Sequence, residues 1–197
     1  MAERDPEEAQ RRSPRYGGMP GHYWTPNQEG RYQLPELEVH GHPWHPRWPV
    51  FGVSWEDAVA YCRWRSEVEG RKVRLPMEQE WEKAARGTDG RYYPWGDLFD
   101  PTFCRMRESR ETAATLEPVG TFELDESPYG VRDAAGCISE WCQEWFSRKH
   151  QLKLVKGGAW NSTRNQCRAA RRHGEHIGES LTWVGFRTVR PLKTGTN

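Results

Sequence analysis

Glycine and proline interrupt this chain so often, 19 Gly and 14 Pro in 197 residues, that long regular elements cannot dominate its fold. Glycine favours turns through its freedom at positive φ, proline through its fixed φ and missing N–H. The same sequence carries 11 Trp, 7 Tyr and 6 Phe, and disordered chains are poor in aromatic rings. The expectation is one domain of short elements and long loops around an aromatic core, which this length can bury. No apolar run approaches the ~20 residues of a membrane-crossing helix, so no membrane partner is expected. The charged start, Met1-Ala-Glu-Arg-Asp-Pro-Glu-Glu, does not read as a secretory signal. An odd number of cysteines, Cys62, Cys104, Cys137, Cys142 and Cys167, with no Cys-x-x-Cys pair, points to a reduced, cytoplasmic protein without structural zinc.

Two stretches carry the marks of helices. From Trp55 to Glu69, the residues Trp55, Ala58, Val59 and Cys62 recur at i, i+3, i+4 and i+7 and make one apolar stripe. Ser54 caps the start, Glu56 and Asp57 suit its positive end, and Gly70 stops it. From Glu78 to Arg86 the apolar face is Met77, Trp81, Ala84 and Ala85, and Gly87 closes the helix. Met77 stands where Ser or Thr would complete a capping box with Glu80, so this start is expected to be weakly capped. Asp5 to Arg12 reads as a short polar helix, Leu152–Gly157 and Trp183–Val189 as strands, and Asn165–Arg172 as a strand or an irregular arm. Residues 1–48 read as an irregular segment held to the domain by aromatic anchors, 49–192 as the domain, and 193–197 as a tail. Helices followed by short strands give the α+β class.

Charge is unevenly spread. Residues 147–197 hold eleven Lys and Arg against Glu175 and Glu179 alone, hence +9, while the rest of the chain carries −8. Such asymmetry marks either an acidic partner or pairing within the fold. With a net charge of +1 and no nucleic-acid-binding motif, no nucleic-acid partner is expected. His40, His42 and His45, and His173 with His176, lack a third ligand on a common element and read as loop histidines.

Seven motifs follow in order: Val53-Ser-Trp-Glu-Asp-Ala-Val-Ala-Tyr-Cys-Arg-Trp64, Arg74-Leu-Pro-Met-Glu-Gln-Glu-Trp81, Tyr93-Pro-Trp-Gly96, Ser127-Pro-Tyr-Gly-Val-Arg-Asp-Ala-Ala-Gly136, Glu140-Trp141, Lys156-Gly-Gly-Ala-Trp-Asn161 and Gly185-Phe-Arg187. In order and spacing they resemble the formylglycine-generating enzyme family, the sulfatase-modifying factors. The resemblance implies a loop-rich variant of the C-type lectin fold. It also implies an oxidase that converts a client cysteine to formylglycine with dioxygen and copper(I) held by two thiolates. A soft cation suits soft sulfur. At the two copper positions this chain has Ser162 and Cys167, and a hydroxyl does not replace a thiolate. Ala159 and Ser139 also stand where the family has active-site Ser and Trp. Copper and catalysis at Cys167 are therefore not expected, and Cys167 reads as a buried strand cysteine. The family's calcium loop maps onto Asp133, Gly136, Ile138 and Glu140, hard oxygen donors that suit calcium. A second calcium site is expected to be missing, because Cys104 replaces its Asn.

The leading expectation is a binding module that presents Trp160, Asn161, Arg164, Asn165, Gln166, Arg171, Arg172, His173, His176 and Trp183 to an acidic protein partner. Arg and aromatic residues among adaptable polar ones make such surfaces. The resemblance extends to members linked to bacterial serine/threonine kinases and to targets of diversity-generating retroelements. The alternative is a working copper oxidase with an unorthodox second ligand.

Overall fold

The computed structural model describes residues 5–17, 20–33, 35, 38–39, 42–111 and 115–192; the tail 193–197 and His40 lie outside them. The elements are α1 (Pro6–Arg12), β1 (Glu38–Val39), β2 (His42–Pro43), α2 (Trp55–Glu69), α3 (Glu78–Arg86), β3 (Ser139–Ser147), β4 (Leu152–Lys156), β5 (His173–His176) and β6 (Val184–Gly185). This is a mixed α+β architecture. β1 and β2 pair as a small separate ribbon, and the main sheet has the order β5-β4-β3-β6. Its first two pairings are antiparallel, and β6 joins β3 in parallel.

The centre of that sheet is covered on both faces. Trp141 lies opposite Val155, and both pack with Ala58 and Cys62 of α2 and with Val73, Leu75 and Val184. Their neighbours Cys142 and Leu154 face the other way and pack with Trp81 and Ala85 of α3, Ala134 and Ala169. This alternation is the period-2 rule applied to a strand buried twice. Indole N–H groups lock the layers: Trp141 donates to the Val53 carbonyl (3.0 Å) and Trp55 to that of Cys142 (2.9 Å).

Both long helices have the expected bounds. The Ser54 hydroxyl accepts from the Asp57 N–H, the Asp57 carboxylate accepts from the Ser54 N–H, and Gly70 closes α2 in the left-handed conformation. At α3 only half of that box forms: Glu80 accepts from the Met77 N–H at 2.8 Å, and Met77 offers no oxygen in return. Met77 is exposed and not part of the apolar face as expected from spacing; it precedes the first turn, outside the packed layer. The expected strand at 183–189 shrinks to β6 plus one bridge between Arg74 and Val189, because Phe186 and Arg187 turn to other partners. Residues 165–172 are turns, not a strand.

α2 also anchors the flanking segments. Asp57, at its start, accepts from Arg12 (3.1 Å) and Arg15, which draws the N-terminal segment onto the domain. Tyr16, Tyr23, Trp24, Trp44, Trp48 and Phe51 form a chain of ring contacts along that segment. At the other end of α2, Glu69 pairs with Arg190 at 2.9 Å.

Candidate functional site

Where the main sheet meets the loops, a pocket of about 270 Å³ opens. Ser139 begins β3, Lys156 ends β4, and Gly157, Gly158, Asn161, Ser162 and Gln166 follow in the turns that leave it. Arg171, His173 and Glu175 enter from β5 and its approach, Trp183 precedes β6, and Arg107 reaches in from the loop after Met106. The lining is polar and largely cationic.

The sequence-predicted ligand residues divide. Asn161, Gln166, Arg171, His173 and Trp183 line the pocket. The others do not. Trp160 packs into the aromatic cluster around Phe51 and Ile138 and donates to the Thr182 carbonyl, so it is part of the core. Arg164 lies over the Phe99 ring, Asn165 is exposed outside the pocket, and Arg172 pairs with Glu78 of α3 at 2.7 Å. His176, at the far end of β5, accepts from the Gly178 N–H. Arg107, Lys156 and Glu175 were missed. Arg107 lies more than fifty residues from the rest of the lining, and no local spacing in the sequence connects it to them.

The charges in the pocket are not equally committed. Lys156 is buried and spent on Glu82 at 2.8 Å. His173 and Trp183 both donate to Glu175, at 3.1 and 3.4 Å. Arg107 donates to the Asn161 carbonyl through two of its nitrogens (3.0 and 3.2 Å), and its N–H donates to the Ser162 carbonyl (3.0 Å). Arg171 donates to the Arg172 carbonyl. Neither Arg107 nor Arg171 enters an ion pair among the described residues. Two guanidinium groups thus converge with hydrogen-bonding capacity to spare.

The copper positions look different from a metal site. Ser162 is buried, and its hydroxyl accepts from the Ala159 N–H at 2.9 Å, a local turn contact that commits it to the backbone. Cys167 is wholly buried in a turn, not in a strand as expected. It lies behind the pocket wall: a β-carbon on Gly158 would come within 3.0 Å of its sulfur. Among the described residues no three His, Cys, Asp or Glu side chains gather as a metal site.

At the calcium loop, Glu140 is buried and accepts from the Trp81 indole (2.6 Å) and from two nitrogens of Arg187. Arg187 also donates to the Asp133 carbonyl at 3.0 Å. The Asp133 carboxylate, in a residue with φ 55°, accepts from the Gly120 N–H at 2.9 Å. Gly136, at φ 77°, lies against Arg105 so closely that a β-carbon would overlap its carbonyl. Asp125 accepts from the Ala135 N–H (3.0 Å), while its other oxygen is buried with no partner among the described residues. Burial pushes the carboxyls of Asp125 and Asp133 above their ordinary range. Asp125, Asp133 and Glu140 therefore surround one guanidinium. The donor types fit calcium, but Glu140 would have to share itself between the ion and Arg187.

Known proteins agree with this geometry. The chain is 30% identical over 180 residues to the inactive C-alpha-formylglycine-generating enzyme 2 of Bos taurus, covering 84% of this chain and 58% of that protein. It is 30% identical over 205 residues to the formylglycine-generating enzyme of Streptomyces coelicolor, covering 87% and 62%. It is also 29% identical over 168 residues to the serine/threonine-protein kinase pkn1 of Chlamydia pneumoniae, covering 76% of this chain and 25% of that one. The chain thus spans less than two thirds of the length of each of these relatives. The solved structure of PvdO from Pseudomonas aeruginosa superposes with a TM-score of 0.70 at 22% identity, covering 84% of this chain and 70% of that chain, which shows the fold. The family of the sulfatase-modifying factor enzyme 1-like domain matches residues 15–192, a span that takes in Arg15 and the aromatic N-terminal segment, and the chain belongs to it.

Proposed function

We propose that this domain is a non-catalytic binding module that receives an acidic side chain or chain end of a protein partner in the pocket between Arg107 and Arg171. One observation carries the reading: these two guanidinium groups face one concave site without a carboxylate of their own. A planar fork of N–H donors matches a carboxylate bidentately. Loss of oxidase chemistry is supported by Ser162, whose hydroxyl is tied to Ala159, and by the likeness to a protein named inactive. The likeness to pkn1 favours a kinase-linked setting over the retroelement one. The test has two arms. Incubation with copper(I), dioxygen and a peptide containing Cys-x-Pro-x-Arg should leave that cysteine unchanged; its conversion to formylglycine would restore the oxidase reading. Binding of an acidic peptide should weaken about tenfold in Arg107→Ala or Arg171→Ala, the loss of a charge-assisted hydrogen bond of roughly 1.5 kcal/mol. Equal affinity of both variants and wild type would remove the pocket from consideration.

A second reading concerns calcium at Asp133, Glu140 and the main-chain carbonyls of Gly136 and Ile138. It is supported by the charge imbalance there, three carboxylates around Arg187 with one buried Asp125 oxygen unpartnered among the described residues. The ion would supply the missing positive charge and hold the loop that leads into β3. A cytoplasmic setting, in which the five thiols stay reduced, is part of the same proposal; no helix among the described residues is long and apolar enough to cross a membrane.

A further inference from the structure

The five cysteines are all buried, but they are not equivalent. Cys62 packs in the cluster under α2, Cys142 in the cluster under α3, and Cys137 in the aromatic cluster around Phe51. Cys104 and Cys167 alone of the five share one cluster, with Tyr93, Met106 and Ala135. Both are wholly buried, and the Cys104 thiol is hydrogen-bonded to that of Cys167. They come from loops 63 residues apart. Neither loop is held by a regular strand at this point: Cys104 sits in the turns after Phe103, and Cys167 in those after Thr163.

Their positions bear on the pocket. Arg107 follows Cys104 by three residues, and Arg171 follows Cys167 by four. The two pocket arginines therefore sit on the two segments that the thiols bring together. Gly158 separates Cys167 from the pocket and has no side chain to interpose.

We infer that Cys104 and Cys167 form a disulfide that clamps the Arg107 loop to the segment leading to Arg171. The pair has no third Cys, His or carboxylate beside it among the described residues, which favours a sulfur–sulfur bond over a metal site. The step needs an oxidant, here a small disulfide such as oxidised glutathione. One protein thiolate attacks it and releases one glutathione thiol, leaving a mixed disulfide. The second protein thiolate then displaces the second glutathione. Two protein thiols lose two electrons and two protons, and one disulfide is reduced to two thiols. Because both sulfurs are closed to solvent, exchange proceeds while the chain is open, during folding, and is slow in the folded reduced protein. This inference is independent of the acidic-partner reading, since it concerns only bond formation and stability.

The test uses the full chain, unfolded and refolded in a buffer with excess oxidised glutathione, and in parallel with dithiothreitol. Non-reducing digestion and mass spectrometry should show one internal link, between the peptides holding Cys104 and Cys167, with the other three thiols free. The linked protein should melt on the order of 10 °C higher than the reduced one, as for closing a loop of about sixty residues. Cys104→Ser and Cys167→Ser should each abolish the link and the difference in melting. If either variant fails to fold, the wild-type peptide map and the two wild-type melting curves decide. Five free thiols after oxidative refolding, a link through Cys62, Cys137 or Cys142, or a link without a rise in melting temperature would each overturn the inference.

Discussion

Glu140 receives the Trp81 indole and both reachable nitrogens of Arg187 while almost fully buried. Removing its charge leaves a buried guanidinium without a counter-ion, and breaking such pairs on one side costs about 3 kcal/mol. Glu140→Gln should therefore lower stability by about that amount in urea or thermal unfolding, and a loss below roughly 1 kcal/mol would show that Arg187 finds another partner. The sequence marked Glu140 and Arg187 as parts of separate motifs, yet nothing in their spacing said that they meet. The same holds for Arg107 and for the contact of Cys104 with Cys167. A pairing across fifty or more residues is set by the fold, and one chain read alone carries no record of it.

Helices and strands were unequally legible. α2 and α3 announce themselves through a period near 3.6 and a cap at each end, and their bounds agree with the structure. β3 gives no such sign. Ser139 to Trp145 is packed on both faces, so its sequence, Ser-Glu-Trp-Cys-Gln-Glu-Trp, shows neither alternation nor a plain apolar run. β5, His-Gly-Glu-His, joins the sheet at its edge through backbone hydrogen bonds and has no apolar pattern at all. The weak cap of α3 was readable, and it yields a prediction. Met77→Ser should complete the box that Glu80 already half forms, raising stability by about 0.5–1 kcal/mol. Met77 is exposed, so its packing loss is small. A melting temperature that stays the same or falls would mean that the Arg74–Glu80 pair already holds this start.

Across the whole molecule, the +9 of residues 147–197 is mostly answered inside the fold: Lys156 by Glu82, Arg172 by Glu78, Arg187 by Glu140 and Arg190 by Glu69. The charge asymmetry seen in the sequence is thus largely the two halves of one set of ion pairs, and Arg171 with Arg107 is what remains for a partner. Calcium is a property of this scale too, because an ion bound only by the folded state stabilises all of it. At a hundredfold excess over its dissociation constant it contributes about 2.7 kcal/mol, or roughly 5–11 °C for a chain of this size. Adding a chelator should lower the melting temperature by several degrees, and restoring calcium should reverse it. Identical curves with and without chelator would remove calcium from the loop.

The anchoring of both flanks on α2 has a mechanical consequence. The N-terminal side is tied to the helix start through Arg12, Arg15 and Asp57, and the C-terminal side to its end through Arg190 and Glu69. Tension applied along the chain would enter at one end of this helix and leave at the other. A 15-residue helix is about 22 Å long at 1.5 Å per residue. Segments joined to either flank would be held apart by that fixed strut, and a pull between them would load two sets of ion pairs in series before reaching the sheet that shapes the pocket.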